Sequence, residues 1–141
     1  MIIQPMGEIK FDEQMVAKKL AQLNKSKSPG PHGIHPRVLQ ELADVLAKPL
    51  SIIYNSFLAS GVVPLAWKTA NITPIYRKRD KRDPGNYHPV SLMSVASKIL
   101  ETIIRDHLIA HRRINKLLSN KQFGFIAGRS TTLQLISVLE E

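Results

Sequence analysis

No cysteine occurs anywhere in the chain. Disulfide staples, thiolate chemistry and cysteine-rich zinc sites are therefore excluded. No apolar run approaches the roughly 20 residues of a membrane-spanning helix. The opening residues, MIIQPMGEIKFDE, lack the basic-then-apolar order of a secretory signal. An intracellular chain is the expectation these absences leave. There is no internal repeat and no low-complexity segment. Acidic residues are scarce, 11 against 20 Lys and Arg, and the few present form no obvious metal or acid–base set. Asp80 and Asp83 lie among cations, Glu41 and Asp44 share one helix flank, and Glu140 and Glu141 would point about 100° apart on a helix. His107 and His111 have the i, i+4 spacing of a zinc pair but no third ligand or glutamate beside them, so they read as helix-surface histidines.

What remains is a chain of 141 residues, 43% hydrophobic and 22% charged, sufficient for one globular domain with a modest core. The net charge of +9 is concentrated. Residues 68–129 hold thirteen cations and four acids, whereas residues 1–67 hold seven and five. A solubility charge would be spread more evenly, so this pattern points to a polyanionic partner. The densest stretch is Arg77 to Asp83, with five cations and two acids in seven residues. Ala70 to Tyr76 before it is β-branched and aromatic but interrupted by Pro74, which suits a sheet edge or a β-ribbon. Asp83-Pro84-Gly85-Asn86 fits a type II turn, and Tyr87 to Leu92 returns as a second strand. A ribbon with guanidinium and ammonium groups at its tip suits phosphate oxygens.

In chain order, Met1 to Lys10 reads as a disordered tip. Phe11 and Asp12 read as the staple and N-cap of a helix buried through Met15, Val16, Leu20 and Leu23. Lys25 to Pro36 is a loop in which Gly30 and Gly33 permit close backbone approach beside Lys25 and Lys27; it lacks the Walker spacing. Pro36 opens a long helix with a predicted stripe of Val38, Leu39, Leu42, Val45, Leu46, Leu50, Ile53, Phe57 and Leu58. Pro49 is expected to kink or split it. Trp67, the only tryptophan, is expected half buried as an anchor. After the ribbon, Ser94 opens a helix with Ile99, Leu100, Ile103, Ile104, Leu108 and Ile114 inward and Lys98, Arg105, His111, Arg112 and Arg113 off that stripe. Ser130 opens a last helix, Thr131 to Glu141. The fold expected is α+β, a small antiparallel β-ribbon packed on about four helices.

Six stretches stand in a telling order: Lys27-Ser28-Pro29-Gly30-Pro31 with Gly33-Ile34; Val63-Pro64 with Trp67-Lys68; Asn71 to Lys78; Asn86-Tyr87-His88-Pro89-Val90-Ser91-Leu92; Ser94 with Lys98 to Glu101; and Gln122 to Phe125 with Gly128 to Thr131. Together they resemble the reverse transcriptases of non-LTR retrotransposons, the LINE-like elements of the jockey type. That family reads roughly N-[IV]-[TI]-P-[IL]-[FY]-K-K-G-D and then D-P-x-N-Y-R-P-[IV]-S-L through the ribbon. The resemblance implies residues 27–141 as a partial reverse transcriptase domain, the fingers subdomain of a right-hand polymerase truncated before the catalytic palm, with a helical N-terminal segment at 1–26. It implies RNA template, DNA primer and dNTP as partners, without a membrane. Arg77, Lys78 and His88 fall at positions that contact the triphosphate. Lys27, Gly30, Arg79, Lys98 and Arg129 fall at positions near nucleic acid. The family's Mg²⁺ ions are held by aspartates beyond the point where this chain ends, so no catalytic or metal-binding residue is expected within it, and it is expected to be inactive alone. Three departures stand out: His32 where the family has Asp, His88 where it has Arg, and Ile126-Ala127 where a basic pair is usual. A noncatalytic nucleic-acid-binding remnant and an inert translated fragment are the alternative readings.

Overall fold

Phe11 and Asp12 set the first helix. The Asp12 carboxylate accepts from the backbone N–H of Met15 at 2.7 Å, and α1 follows over Glu13–Ala21. Phe11, Val16 and Leu20 are buried, which stabilises the fold by about 1.5–3 kcal/mol per side chain. In the computed structural model, which describes every residue except 1–3, 120, 125, 127, 140 and 141, the succeeding elements are α2 Pro36–Glu41, α3 Ala43–Ser60, α4 Leu65–Lys68, β1 Ala70–Tyr76, β2 Tyr87–Met93, α5 Val95–Ile114 and α6 Thr131–Leu139. A short 3₁₀ turn, Pro84–Asn86, lies between the strands. The class is α+β. Among the described residues six helices stand where about four were expected, because the second divides and Leu65–Lys68 forms a single turn of its own. The terminal Glu140-Glu141 pair, Phe125 and Ala127 lie outside the described residues.

The chain divides into two compact units, Glu8–Arg105 and the described parts of Met1–Gly7 with Asp106–Glu141. In the first, α3 departs from its predicted face. Ala43, Ala47, Ser51 and Tyr54 point inward, while Leu46, Leu50 and Phe57 are only partly buried at the flanks. Val45 is 71% exposed and Ile52 61%. Small side chains on the inner face let α1 approach closely, and the Ser51 hydroxyl satisfies itself on the Lys48 carbonyl at 2.9 Å. The break also falls elsewhere than predicted. The helix is interrupted at Leu42 and runs on through Pro49. Pro49 is exposed, and the carbonyl its missing N–H leaves free belongs to Val45, itself on the solvent side.

Tyr54 is fully buried and joins four stretches. Its ring meets Phe11 at 5.4 Å and Trp67 at 5.9 Å, and its hydroxyl donates to the Ala96 carbonyl in α5 at 2.9 Å. Trp67, half buried as expected, also meets Phe57 edge-on at 5.2 Å, and its carbonyl accepts from Ser97 at 3.2 Å. Val95, Ile99, Leu100 and Ile103 complete this core. The predicted stripe of α5 stops there: Leu108 and Ile114 are exposed.

Two asparagines hold the N-terminal segment, which is not loose as expected. Asn55 accepts from the Phe11 N–H at 3.0 Å and donates to the Phe11 carbonyl at 2.9 Å. In the other unit, buried Asn115 accepts from the Gln4 N–H at 2.7 Å and donates to the Gln4 carbonyl at 3.2 Å. Each side-chain amide does for one residue of extended backbone what a neighbouring strand would do. Ile9, between them in sequence, is buried. In the second unit α6 begins as predicted, with the Ser130 hydroxyl accepting from the Leu133 N–H at 3.2 Å.

Burial pushes the Tyr54 phenol up from its ordinary value of 10.0, because phenolate would lose its hydration. The stability associated with the neutral phenol is fully present below pH 10 and is lost as pH rises through the raised folded-state value. Tyr54→Phe should lower stability at pH 7 by about 0.5–1.5 kcal/mol, the net worth of one hydrogen bond. It should also shrink the alkaline loss. Urea unfolding at pH 7 and pH 11 reads both effects, and equal alkaline loss in the two proteins contradicts the assignment.

Candidate nucleic-acid interface

The ribbon is antiparallel and in a single register, from Ala70 opposite Met93 at its base to Tyr76 opposite Tyr87 at its tip. It does not pack on the helices as expected. Every β1 residue after Ala70 is exposed, and in β2 only Tyr87, Val90, Leu92 and Met93 are half covered. The ribbon projects, and its two faces differ because side chains alternate. Ile75 and His88 are partners on one face, and the alternation brings Arg77, next past the strand, to that side. Pro74, Pro89, Tyr76 and Tyr87 share the other. There Pro74, Pro84, Tyr87 and Pro89, with Lys81 and Arg82, line a hollow of about 480 Å³. An apolar floor with a cationic rim is chemically suited to a base ring and its phosphate. Sequence reading missed this hollow, although the alternation of Pro74 and Tyr76 with Tyr87 and Pro89 was its signal.

The tip is held by its own polar groups. Tyr76 donates to the Arg79 carbonyl and Tyr87 to the Lys81 carbonyl. The two rings lie 5.6 Å apart, and the Lys81 ammonium stands 5.5 Å from the Tyr76 ring. Asp80 accepts from the Arg82 N–H at 2.9 Å and Asp83 from the Gly85 N–H at 2.8 Å. With Asp83 capping it, the expected type II turn becomes a 3₁₀ turn, and Gly85 does not take a positive φ. Arg79 does, at 75°. The acids therefore shape the tip, and among the described residues Arg77, Lys78 and Arg79 form no ion pair.

The other predicted residues belong to other elements. Gly30, at φ 74°, packs against the base, where an added Cβ would lie 2.3 Å from the Met93 carbonyl oxygen. Its close approach is thus to protein backbone. Lys98 is exposed on the first turns of α5, beside that base. The strand between base and tip is about 20 Å long. Lys27 is exposed in the 25–36 loop. Its neighbour Lys25 pairs with Glu41 at 2.8 Å and holds that carboxyl below its ordinary range. Arg129 belongs to the second unit, where it donates to the Gln122 carbonyl and lies 5.3 Å from the Phe123 ring. The ring of His111 lies 3.2 Å from the Asn115 amide. Among the described residues no three His, Asp or Glu gather as a metal site. No helix among them is long and apolar enough to cross a membrane.

No protein-family model matches the chain. The RNA-directed DNA polymerase from mobile element jockey of Drosophila melanogaster is 32% identical over 136 residues, covering 96% of this chain and 15% of that protein. From the same organism, the probable RNA-directed DNA polymerase from transposon BS is 31% identical over 132 residues, covering 93% of this chain and 14% of that protein. The probable RNA-directed DNA polymerase from transposon X-element, also from that fly, is 27% identical over 132 residues, with the same coverage of this chain and 14% of its own length. Over 93–96% of its length the chain is thus similar to one segment of the RNA-directed DNA polymerases of jockey-like non-LTR retrotransposons. It spans about 15% of the length of these curated relatives.

Two glycine questions are testable. Gly30→Ala should cost more than the about 1–2 kcal/mol of a left-handed non-glycine residue, because its Cβ also meets the Met93 carbonyl. Gly33→Ala, at φ 69° with open space around it, should cost only that amount. Equal losses of stability in chemical denaturation would show that the Gly30 contact carries no weight.

Arg79 stands where the family pattern has Gly, and its φ explains why glycine suits the position. Arg79→Gly should hold or raise stability by up to about 1 kcal/mol, whereas Arg79→Val should lower it. Amide exchange across the ribbon measures this locally. Slower exchange in the valine variant than in the glycine variant would refute the strain at residue 79.

Proposed function

We propose that this chain is the fingers portion of a LINE-type reverse transcriptase and contributes contacts to RNA template, DNA primer and incoming dNTP. Arg77, Lys78 and His88 hold triphosphate from one side of the ribbon and its tip. The hollow at Tyr87 and the prolines, rimmed by Lys81 and Arg82, receives a base and phosphate of the template on the other. The observation that supports this reading is the division of labour at the tip: its two acids are engaged by backbone N–H groups, and Arg77, Lys78 and Arg79 project without a carboxylate partner among the described residues. Unpaired cations on a projecting, internally braced ribbon are available to phosphate oxygens at low ordering cost. His88 weakens the triphosphate side, because an imidazole cannot make the forked contact of a guanidinium. Lys27, Gly30, Lys98 and Arg129 serve nucleic acid in the same reading, Gly30 through the shape of its loop.

The test is salt dependence. The 141-residue chain should bind single-stranded or hybrid oligonucleotides without sequence preference, its affinity falling linearly with log salt. Arg77→Ala, Lys78→Ala and Arg79→Ala together should flatten the slope by about 0.7 for each lost phosphate contact on a single strand. A slope unchanged by the triple substitution in a fluorescence anisotropy titration rules out the tip as the contact.

A further inference from the structure

A second cationic site lies wholly within the other unit. Arg112, Arg113, Lys116 and Arg129, with Leu118 and Ile126, line a pocket of about 410 Å³. Among the described residues no acidic side chain lines it. We propose that this pocket is a binding site for the phosphate groups of a nucleic-acid strand, separate from the ribbon; the proposal rests on the reading of the chain as a nucleic-acid-handling segment.

The ordinary explanation for cations here is the helix end. Arg112 and Arg113 fall in the last turn of α5, where positive charge complements the carbonyl end of the helix dipole. That accounts for two of the four. Lys116 lies beyond the helix, and Arg129 comes from a separate segment. Lys116 takes a left-handed backbone, φ 53°, closing α5 as its N–H donates to the Arg113 carbonyl and that of Leu117 to the Arg112 carbonyl. Glycine or asparagine suits such a closing position best. A lysine there accepts backbone strain and keeps a cation at the pocket. Arg129 is positioned beforehand, half buried with its guanidinium on the Phe123 ring and hydrogen-bonded to the Gln122 carbonyl. A helix C-terminus alone repels an anion, so four converging cations reverse the local sign. Leu118 and Ile126 add apolar wall beside them, which fits a sugar or base attached to the phosphate better than a free inorganic ion.

The experiment titrates the full chain with fluorescein-labelled dT20, carrying either a 5′-phosphate or a 5′-hydroxyl, over a range of salt. Lys116→Gly is the informative variant, since glycine accepts the φ and preserves the fold. It should flatten the salt slope by about 0.7, and Arg112→Gln with Arg113→Gln by about 1.4, at unchanged far-ultraviolet circular dichroism. Lys48→Gln, on exposed α3, removes the same charge as Lys116→Gly and should leave the slope unchanged. A preference for the 5′-phosphate that disappears in Lys116→Gly assigns the pocket to a terminal phosphomonoester. Equal binding of the two oligonucleotides, with both slopes flattened, assigns it to internal phosphodiesters. The proposal is overturned if Lys116→Gly keeps the wild-type slope, or if Lys48→Gln flattens it equally. It then fails alone, provided that the triple substitution at residues 77–79 still weakens binding. Absence of any wild-type binding overturns both it and the broader reading.

Discussion

The buried phenol of Tyr54 is the junction on which the first unit depends. Its ring touches Phe11 at the start of α1 and Trp67 before the ribbon, and its hydroxyl reaches Ala96 in α5. Residues far apart in sequence are thereby fixed to one side chain, in a core otherwise built from medium-sized aliphatics. Aromatic rings carry the largest buried area per residue and tilted pairs add directional preference. The cost is a polar atom in the interior, which the Ala96 carbonyl offsets. The base of the ribbon inherits its position from this arrangement, because Trp67 is three residues before Ala70 and Ser97 binds the Trp67 carbonyl.

From that base outward, stabilisation changes character. The ribbon has almost no apolar cover, and an isolated two-stranded ribbon is marginal in water. Here the phenols of Tyr76 and Tyr87 and the carboxylates of Asp80 and Asp83 tie the tip to its own backbone. Local hydrogen bonds replace a core. An element stabilised in this way keeps its cations in water, where they remain available to a partner. A buried ribbon would have had to neutralise them.

What the sequence made legible follows the range of the interactions. Asp12 as an N-cap, Ser130 as another, the two strands and their turn region, and Trp67 as a half-buried anchor were all readable, because each depends on residues within a few positions. The inner face of α3 was not. Periodicity selects the largest apolar residues, and Val45 and Ile53 carry that signal, yet both are exposed and the face chosen was the one small enough for α1 to approach. The break at Leu42 was missed for a related reason: proline is a strong local signal, and an exposed Pro49 could be tolerated. At the candidate site, the cluster Arg77 to Arg79 and the family pattern around it were plain in the sequence. The left-handed backbone at Arg79 was missed, since nothing about an arginine announces it and only the glycine of the family pattern at that position signalled it. The capping turn at Asp83 was misread because Pro-Gly fits two turn types, and only the carboxylate contact to the Gly85 N–H decides between them.

The two asparagine clamps have a consequence for the order in which the molecule can assemble. Phe11 is held by a residue 44 positions later and Gln4 by one 111 positions later. A chain emerging from the ribosome presents its N-terminal end first. Residues 4 and 11 are thus made before the asparagines that hold them. While synthesis proceeds, Phe11 and Ile9 remain uncovered with their backbone groups open, and closure of the N-terminal segment is a late event set by the arrival of Asn55 and then Asn115.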